Sequence, residues 1–251
     1  MVRGIPLIFF TSFLFAIITT CNGFATNKDI KPYGLNLRCK IKPERRDDFI
    51  SVIKDRQRET LELEPASLQY VVGEDVTDQN TFYIHQQYLG EGGFAAHRES
   101  EGTKKWNEFK KTDPFAEDGE PTIEYFYTNL EPAKTAIRSA YCVHVELCIK
   151  PEFIDEFLQV IENNSNGSNN DEPLCLQYVY GESTTEPNKF IFHEEYSGED
   201  GGKQGFDEHA SAPHFKVWEE FADKGPFTKD PVVHFFKSFP DEYEEIITIE
   251  R

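Results

Sequence analysis

The sequence predicts an α+β protein made of two copies of one βαββαβ unit. The first observation is an internal repeat: the tetrapeptide Ile-Lys-Pro-Glu at residues 41–44 recurs 108 residues later, at 149–152. The second is the spacing of apolar residues, which changes between strand-like and helix-like periods in the same order in both copies. The third is composition, since 22 Phe, 11 Tyr and 2 Trp provide ample material for a packed core.

The repeat continues along most of the chain. It keeps the offset of 108 through residue 88, and extra residues near 200–205 then increase the offset by four. Matched pairs include Phe49 and Phe157, Tyr70 and Tyr178, His85 and His193, Tyr88 and Tyr196, His97 and His209, and Trp106 and Trp218. We therefore predict a unit at 34–130, a linker at 131–140, a second unit at 141–240 and a C-terminal segment at 241–251, in which residues 242–250 alternate like an added strand.

Each copy begins with a strand that ends at Lys-Pro-Glu, where Pro suits the first turn of a helix and Glu its positive end. After that helix come a hairpin, a second helical stretch that carries His97 and Trp106 or their copies, and a last strand. The predicted strands are 35–41, 68–73, 81–89 and 122–127 in the first copy and 143–149, 176–181, 190–197 and 232–237 in the second. This order is that of a ferredoxin-like module.

A ferredoxin-like sheet has helices on one face and needs a partner for the other. Covalent duplication supplies that partner, so the sequence predicts two modules packed as an intramolecular dimeric α+β barrel, an internal pseudo-dimer that can act as a monomer. Two separate modules on a string are the alternative. The short linker and the high Phe content favour close packing.

The first 25 residues have the pattern of a secretory signal peptide. Arg3 is the one basic residue, an apolar run covers 5–18, and the segment ends in small residues, with cleavage expected after Gly23 or Ala25. The run is shorter than the roughly 20 residues of a spanning helix, which disfavours an uncleaved anchor. We expect a secreted or endomembrane protein with no stable membrane insertion. The Gly23-Phe24 junction leaves import into a complex plastid as an alternative.

Residues 162–171 are rich in Asn, Ser and Gly and are predicted to form a surface loop. Sequons begin at Asn163 and Asn166, which in a secreted protein would be glycan acceptors. An unmodified flexible loop is the alternative.

Charge and cysteine content exclude several classes of protein. A formal net charge of −19 disfavours a nucleic acid or an anionic membrane surface as partner. Cys142 and Cys148 would lie about 20 Å apart on one strand and cannot form a disulfide with each other. No C-x-x-C occurs, which argues against a zinc knuckle or a thioredoxin-type site.

Four segments carry a family resemblance: the Lys-Pro-Glu start of the first helix, EPxCLxY at 172–178, FxFxExY at 190–196 and HxSxPxFK at 209–216. In their order and spacing they resemble the antibiotic biosynthesis monooxygenase family of the dimeric α+β barrel superfamily. The resemblance covers nearly all of both copies. The first copy departs from it, with Gln86 in place of the strand Glu and with Glu99 and Thr103 where the second has Ser211 and Phe215. Ala66 and Leu174 replace a usual Gly. The second copy is therefore the better candidate for an active site.

The resemblance implies a cofactor-independent monooxygenase that acts on a small aromatic or quinol-like molecule in an apolar pocket. A deprotonated phenol can itself pass an electron to oxygen, so such a site needs a base near neutral pH, hydrogen-bond donors and dry walls. The alternative is a non-catalytic module of the same fold that binds a small hydrophobic ligand or a protein.

On this logic the catalytic candidates are His209, His193 and Glu194, with His as the base because its ordinary pKa is about 6.5. His193 alternates with Glu194 along one strand, so the two cannot both face one pocket. Capping or packing is the alternative role for His209. The substrate-binding candidates, which could equally be core residues, are Tyr178, Tyr196, Trp218, His97 and His85.

We predict no metal site and no cofactor. Neither H-x-x-x-H nor H-E-x-x-H occurs. Haem-degrading relatives of this fold use an Asn, a His and a Trp, but Asn36 and the two Trp residues do not match those positions. His144, His214 and His234 have no copy in the first unit and are predicted to be surface or incidental residues.

Overall fold

The computed structural model describes residues 30–130 and 139–240. The predicted signal peptide, most of the predicted linker and the predicted strand at 242–250 lie outside the described residues. We call 33–127 module 1 and 141–238 module 2.

Both modules have the predicted order of strands and helices. Module 1 consists of β1 (Tyr33–Lys40), α1 (Arg46–Leu63), β2 (Ser67–Asp75), β3 (Thr81–Tyr88), α2 (Gly90–Arg98), α3 (Glu101–Lys110) and β4 (Thr122–Tyr127). Module 2 consists of β5 (Tyr141–Cys148), α4 (Ile154–Asp171), β6 (Cys175–Glu182), β7 (Lys189–Tyr196), α5 (Lys203–His209), α6 (Pro213–Ala222) and β8 (Val232–Ser238). Each of the helices α1 and α4 is preceded by a short 3-10 turn that begins with the predicted Pro.

The eight strands form one antiparallel sheet in the order β4-β1-β3-β2-β8-β5-β7-β6. The modules join where β2 pairs with β8, with Gly73 opposite Ser238. On the other side Phe126 bridges to Ser183, and the Asn129 N–H donates to the Tyr180 carbonyl. The sheet is therefore a nearly closed barrel, which confirms the predicted fold class.

Glycines allow the close approach of strands at both junctions between the modules. A Cβ atom on Gly73 would lie 2.4 Å from the carbonyl oxygen of Lys237, and one on Gly181 would lie 1.9 Å from that of Tyr127. A side chain at either position would push the modules apart.

The second helical stretch of each module is two helices, whereas the sequence predicts one. In module 1 a break at Glu99 separates α2 from α3, and the Ser100 hydroxyl caps α3 by accepting from the Thr103 N–H. In module 2 Pro213 begins α6 after the break. His97 and His209 are thus on a different helix from Trp106 and Trp218.

The predicted loop at 162–171 is wrong, because α4 continues to Asp171. The low helix propensity of Asn, Ser and Gly is outweighed by tertiary contacts. Ser165, Gly167 and Ser168 are buried, and the Asn169 side chain bonds the backbone of Tyr178 through its amide and its carbonyl. The side chains of Asn163 and Asn166 are exposed on this helix.

Each module has an apolar core between its sheet and its helices, built on Phe49 and Phe82 in module 1 and on Phe157 and Phe190 in module 2. The four described cysteines are free thiols. Among residues 30–130 and 139–240, no helix combines the length and the apolar character that crossing a bilayer requires.

Candidate active site

An apolar cavity of about 370 Å³ lies between the sheet and the helices of module 2. Its walls include Val145 and Phe192 from the sheet and Phe206, Phe215 and Trp218 from the helices. Glu194, His209, Tyr178 and Asn164 are the polar residues at its surface. A volume of this size fits a small aromatic molecule, since ligand pockets begin at about 300 Å³. We call it the module 2 cavity.

His209 is held by hydrogen bonds on the side away from the cavity. Its Nδ1 lies 2.9 Å from Oε1 of Glu172, at the end of α4, and 3.2 Å from Oγ of Ser168. Because an ionised carboxylate can only accept, Nδ1 is the donor, and in the neutral imidazole Nε2 keeps a free lone pair. No described residue bonds Nε2, so this nitrogen is available to a molecule in the cavity.

Glu172 is suited to this task because its carboxylate stays ionised. Burial raises the pKa of Glu172, but hydrogen bonds and charge from His209 and His214 outweigh that effect, and the pKa lies below its ordinary value. His214 reaches the same oxygen, with Nε2 2.5 Å from Oε1. The other carboxylate oxygen, Oε2, is buried and has no hydrogen-bond partner within the described residues.

Glu194 is a buried acid at the cavity. Burial raises its pKa, and this effect exceeds the opposing effects of His209 and of the hydrogen bond from Tyr196, whose hydroxyl lies 2.9 Å from Oε2. A carboxyl group with a raised pKa can hold a proton and donate it. Tyr196 lies behind Glu194 and is itself fully buried.

Tyr178 and Asn164 form a second polar group. The Asn164 amide donates to the Tyr178 hydroxyl over 3.0 Å, which orients the phenol. Burial raises the pKa of Tyr178, so the phenol is protonated and can act as a donor. Oδ1 of Asn164 is buried without a partner and is an acceptor that a ligand hydroxyl could satisfy. Asn164 and Glu172 are not among the residues predicted from the sequence. Glu172 is retained in the repeat as Glu64, which is a signal that could have revealed it, whereas the position of Asn164 holds Arg56 in module 1.

Module 1 has the same frame, but an arginine fills its cavity. Arg56 stands where module 2 has Asn164, and its Nη2 donates to Nε2 of His97 over 2.7 Å and to Thr103 over 3.1 Å. The guanidinium lies over Trp106, 5.8 Å from the ring centroid. The remaining space is about 150 Å³. Nε2 of His97, a predicted binding residue, is therefore occupied by Arg56, although Nδ1 is 2.8 Å from Glu64 as in module 2.

The barrel interior holds a second set of histidines on the opposite face of the sheet. His85 stacks on His193 at 3.8 Å, and Nε2 of His144 lies 3.1 Å from Nδ1 of His193. Asn36 and Glu195 bond the outer nitrogens of His85 and His193 at 2.7 and 2.9 Å. The sheet thus separates His193 and His85 from the module 2 cavity, and His193 faces away from Glu194 as strand alternation requires.

The prediction of three surface histidines is wrong for His144, which is 5% exposed. It occupies the position of Asn36 in module 1, a buried inward position that the sequence comparison did not use. His214 contacts Glu172, and His234 is half-buried against Tyr83. The three interior histidines come from three strands, which is why no sequence motif revealed the group.

The profile of the antibiotic biosynthesis monooxygenase family matches residues 32–108 and 140–220, more than half of the chain. The chain therefore belongs to this family. No curated protein matches it by sequence.

Solved structures share the whole two-module fold. A candidate monooxygenase from Fusobacterium nucleatum superposes with a TM-score of 0.72 at 19% identity, covering 84% of this chain and 93% of that one. One from Lactobacillus acidophilus gives 0.70 at 16% identity, covering 82% and 93%. An anthrone oxidase-like protein gives 0.57 at 12% identity, covering 84% and 92%. At these identities the superpositions show a shared fold alone.

Proposed function

We propose that the protein is a cofactor-independent monooxygenase that oxidises a small phenolic, quinol-like or anthrone-like molecule in the module 2 cavity. The observation that carries this proposal is His209, whose Nδ1 is fixed by Glu172 while Nε2 is left to an apolar cavity. The presence of a histidine and an acid at the apolar cavity favours an enzyme over a non-catalytic module, which needs neither group. A single chain is sufficient for this activity, since module 1 completes the barrel and the two modules of one chain replace the two subunits of a dimer.

The proposed reaction begins with proton transfer from a phenolic hydroxyl of the substrate to Nε2 of His209. The electron-rich phenolate then reduces O₂ by one electron, and recombination at the activated carbon forms a hydroperoxide. For a CH₂ group, the hydroxyl that is deprotonated is that of the enol tautomer, so the first hydrogen of the CH₂ group leaves as this proton and oxygen adds to the remaining CH carbon. Protonation of the peroxide gives the hydroperoxide, and cleavage of its O–O bond with loss of the second hydrogen gives C=O and water, so one O₂ converts CH₂ to C=O plus H₂O. No external reductant is needed.

The other polar side chains at the module 2 cavity can act as hydrogen-bond donors or acceptors toward the substrate. Glu194, whose pKa is raised by burial, can carry a proton and donate it to the developing oxyanion or to the leaving hydroxide. Tyr178 and Asn164 can hold the substrate oxygens, and Trp218 with the Phe side chains keeps water out. Tyr196 positions Glu194 through its hydrogen bond.

Oxygen consumption tests the proposal. The purified chain, freed of metal, is mixed with a panel of hydroquinones and anthrones, and uptake is compared for wild type, His209→Gln and His97→Gln. We expect uptake above the spontaneous rate that is lost in His209→Gln and kept in the matched module 1 variant. Equal loss in both variants, with both folded by circular dichroism, would contradict a module 2 site. If no substrate raises oxygen uptake above the spontaneous rate in any of the three proteins, the result would favour a ligand-binding module.

We also propose that the chain enters the secretory pathway through residues 1–25 and carries glycans at Asn163 or Asn166. The support is the apolar N-terminal run and the exposure of both Asn side chains. A mass shift removed by an N-glycosidase after expression in a eukaryotic host, and absent from a double Asn→Gln variant, is the expected result.

A further inference from the structure

Behind His209, on the side away from the cavity, a carboxylate and two imidazoles converge. Glu172, His209 and His214 each present one ligand atom, and these atoms lie within 4.8 Å of one another. The Glu172 side chain is 11% exposed and that of His214 is 12% exposed, so an ion could enter from solvent with little rearrangement. Two His and one Glu are a recurrent ligand set for Zn²⁺, with a water molecule completing the tetrahedron.

An unsatisfied atom points to a ligand at this cluster. Oε2 of Glu172 is buried and lacks a hydrogen-bond partner within the described residues, whereas both histidines share Oε1. A buried carboxylate oxygen without a partner is costly. Rotation of this carboxylate toward an ion between the two rings would satisfy it.

The third ligand is a feature of module 2 alone. Glu64 and His97 repeat the Glu172 and His209 pair, but Gly102 occupies the position of His214. The His214 ring packs on Gly167, where a Cβ atom would lie 2.3 Å from Nδ1. Module 1 has Glu59 in place of this glycine. Module 2 therefore has the large residue His214 against the small residue Gly167. Module 1 has the opposite arrangement, with the small residue Gly102 against the large residue Glu59.

The other group of histidines does not suit an ion. A metal lies near the plane of each imidazole that binds it, but His85 and His193 are stacked with 9° between their planes and 3.8 Å between their centroids. Parallel rings at this spacing cannot both direct a nitrogen to one ion. Their nitrogens are also bonded by Asn36 and Glu195.

We propose that Glu172, His209 and His214 form a site for a divalent transition-metal ion of the Zn²⁺ type, and that occupancy switches off His209 as a base. The ion replaces the proton on Nδ1 of His209, and in the neutral ring that proton moves to Nε2. Nε2 then becomes a donor and can no longer accept the substrate proton. This second part rests on the proposed function; the binding site itself does not.

The binding experiment uses untagged, metal-free full chain. Isothermal titration with ZnCl₂ and the visible absorption of added Co²⁺ are compared for wild type, His214→Gln, Glu172→Gln and the control His234→Gln. We expect one tight site in wild type and control, a tetrahedral Co²⁺ spectrum, and affinity reduced by at least about tenfold in the two cluster variants, since even outer-shell changes cost this much.

The outcomes separate the two parts of the proposal. A lack of binding in wild type, or equal binding in the folded cluster variants, overturns the site. If His214→Gln does not fold, Glu172→Gln decides the question. With a substrate in hand, Zn²⁺ should inhibit wild type and His234→Gln but not His214→Gln; binding without inhibition overturns the tautomer switch alone. If no substrate is turned over, the proposed function fails while the titration result stands.

Discussion

Modules 1 and 2 share one backbone plan and one hydrogen-bonded pair of a glutamate and a histidine, yet only module 2 has a cavity of the size of a ligand pocket. The difference lies in a few side chains. Arg56 in module 1 reaches across the space that Asn164 leaves open in module 2, and Gln86 stands where module 2 has the acid Glu194. The comparison teaches that a duplicated fold can lose a cavity through one long side chain without a change in its strands or helices.

The largest expected effect comes from making module 2 resemble module 1. Asn164→Arg would place a guanidinium beside His209 and fill the module 2 cavity. We expect oxygenation to fall by more than about 1000-fold, equivalent to about 4 kcal/mol in the activation free energy. Steady-state oxygen uptake measures this, and Asn164→Leu is the control that removes the amide but keeps the volume. Unimpaired turnover in the Arg variant would place the reaction elsewhere.

A smaller effect should follow when the acid alone is replaced. Glu194→Gln copies Gln86 and keeps the shape of the side chain, but it removes the proton that the carboxyl group can transfer. We expect kcat to fall about 100-fold, the lower range for general acid–base catalysis, with little change in ligand affinity. Tryptophan fluorescence would follow binding near Trp218. A large loss of affinity with normal kcat would instead assign Glu194 to binding.

Replacing Arg56 by the residue of module 2 tests whether the Arg56 side chain is what fills the module 1 cavity. Arg56→Asn should free space beside His97 and should lower the free energy of unfolding by about 2 kcal/mol, because contacts with Trp106 and Thr103 are lost. Urea unfolding measures the stability. Titration with an apolar fluorescent probe should show two sites per chain in place of one. An unchanged site number would mean that module 1 collapses around the missing side chain.

The interior histidines provide the smallest effect. Burial, together with the neighbouring histidines, holds the pKa values of His85 and His144 well below the ordinary value. At neutral pH both folded and unfolded forms are neutral; below about pH 6.5 only the unfolded form gains these protons, so stability declines as pH falls. Each such group adds a slope of about 1.4 kcal/mol per pH unit.

His144→Asn, which copies Asn36, should reduce that slope between pH 6 and the onset of acid unfolding. Urea unfolding at a series of pH values gives the slope for both proteins. Carboxylates contribute equally to the two curves, and Glu195 beside His193 is unchanged. Identical slopes would show that His144 gains a proton in the folded protein.

The sequence predicts the duplication, the order of strands and helices along each copy, and the barrel, because these depend on periodicity and on the repeat. It also identifies Glu194, His209, Tyr178 and Trp218, which line one cavity. It does not reveal that Arg56 fills the module 1 cavity, because in the sequence Arg56 looks like any arginine on a helix surface. Its role follows only from the packing of the helix on the sheet. Likewise, the polar stretch at 162–171 forms a helix only because its small residues face α6 and β6.

Closure of the barrel has a consequence for synthesis of the chain. The edge of β2 pairs with β8, the last described strand to leave the ribosome, so this edge stays open while the whole of module 2 is being made. An open edge can capture another nascent chain. The part of β2 that pairs with β8 is short and charged, since it consists of Gly73, Glu74 and Asp75. Because like charges on two such edges repel each other, these two acids disfavour pairing of this edge with the same edge of a second chain.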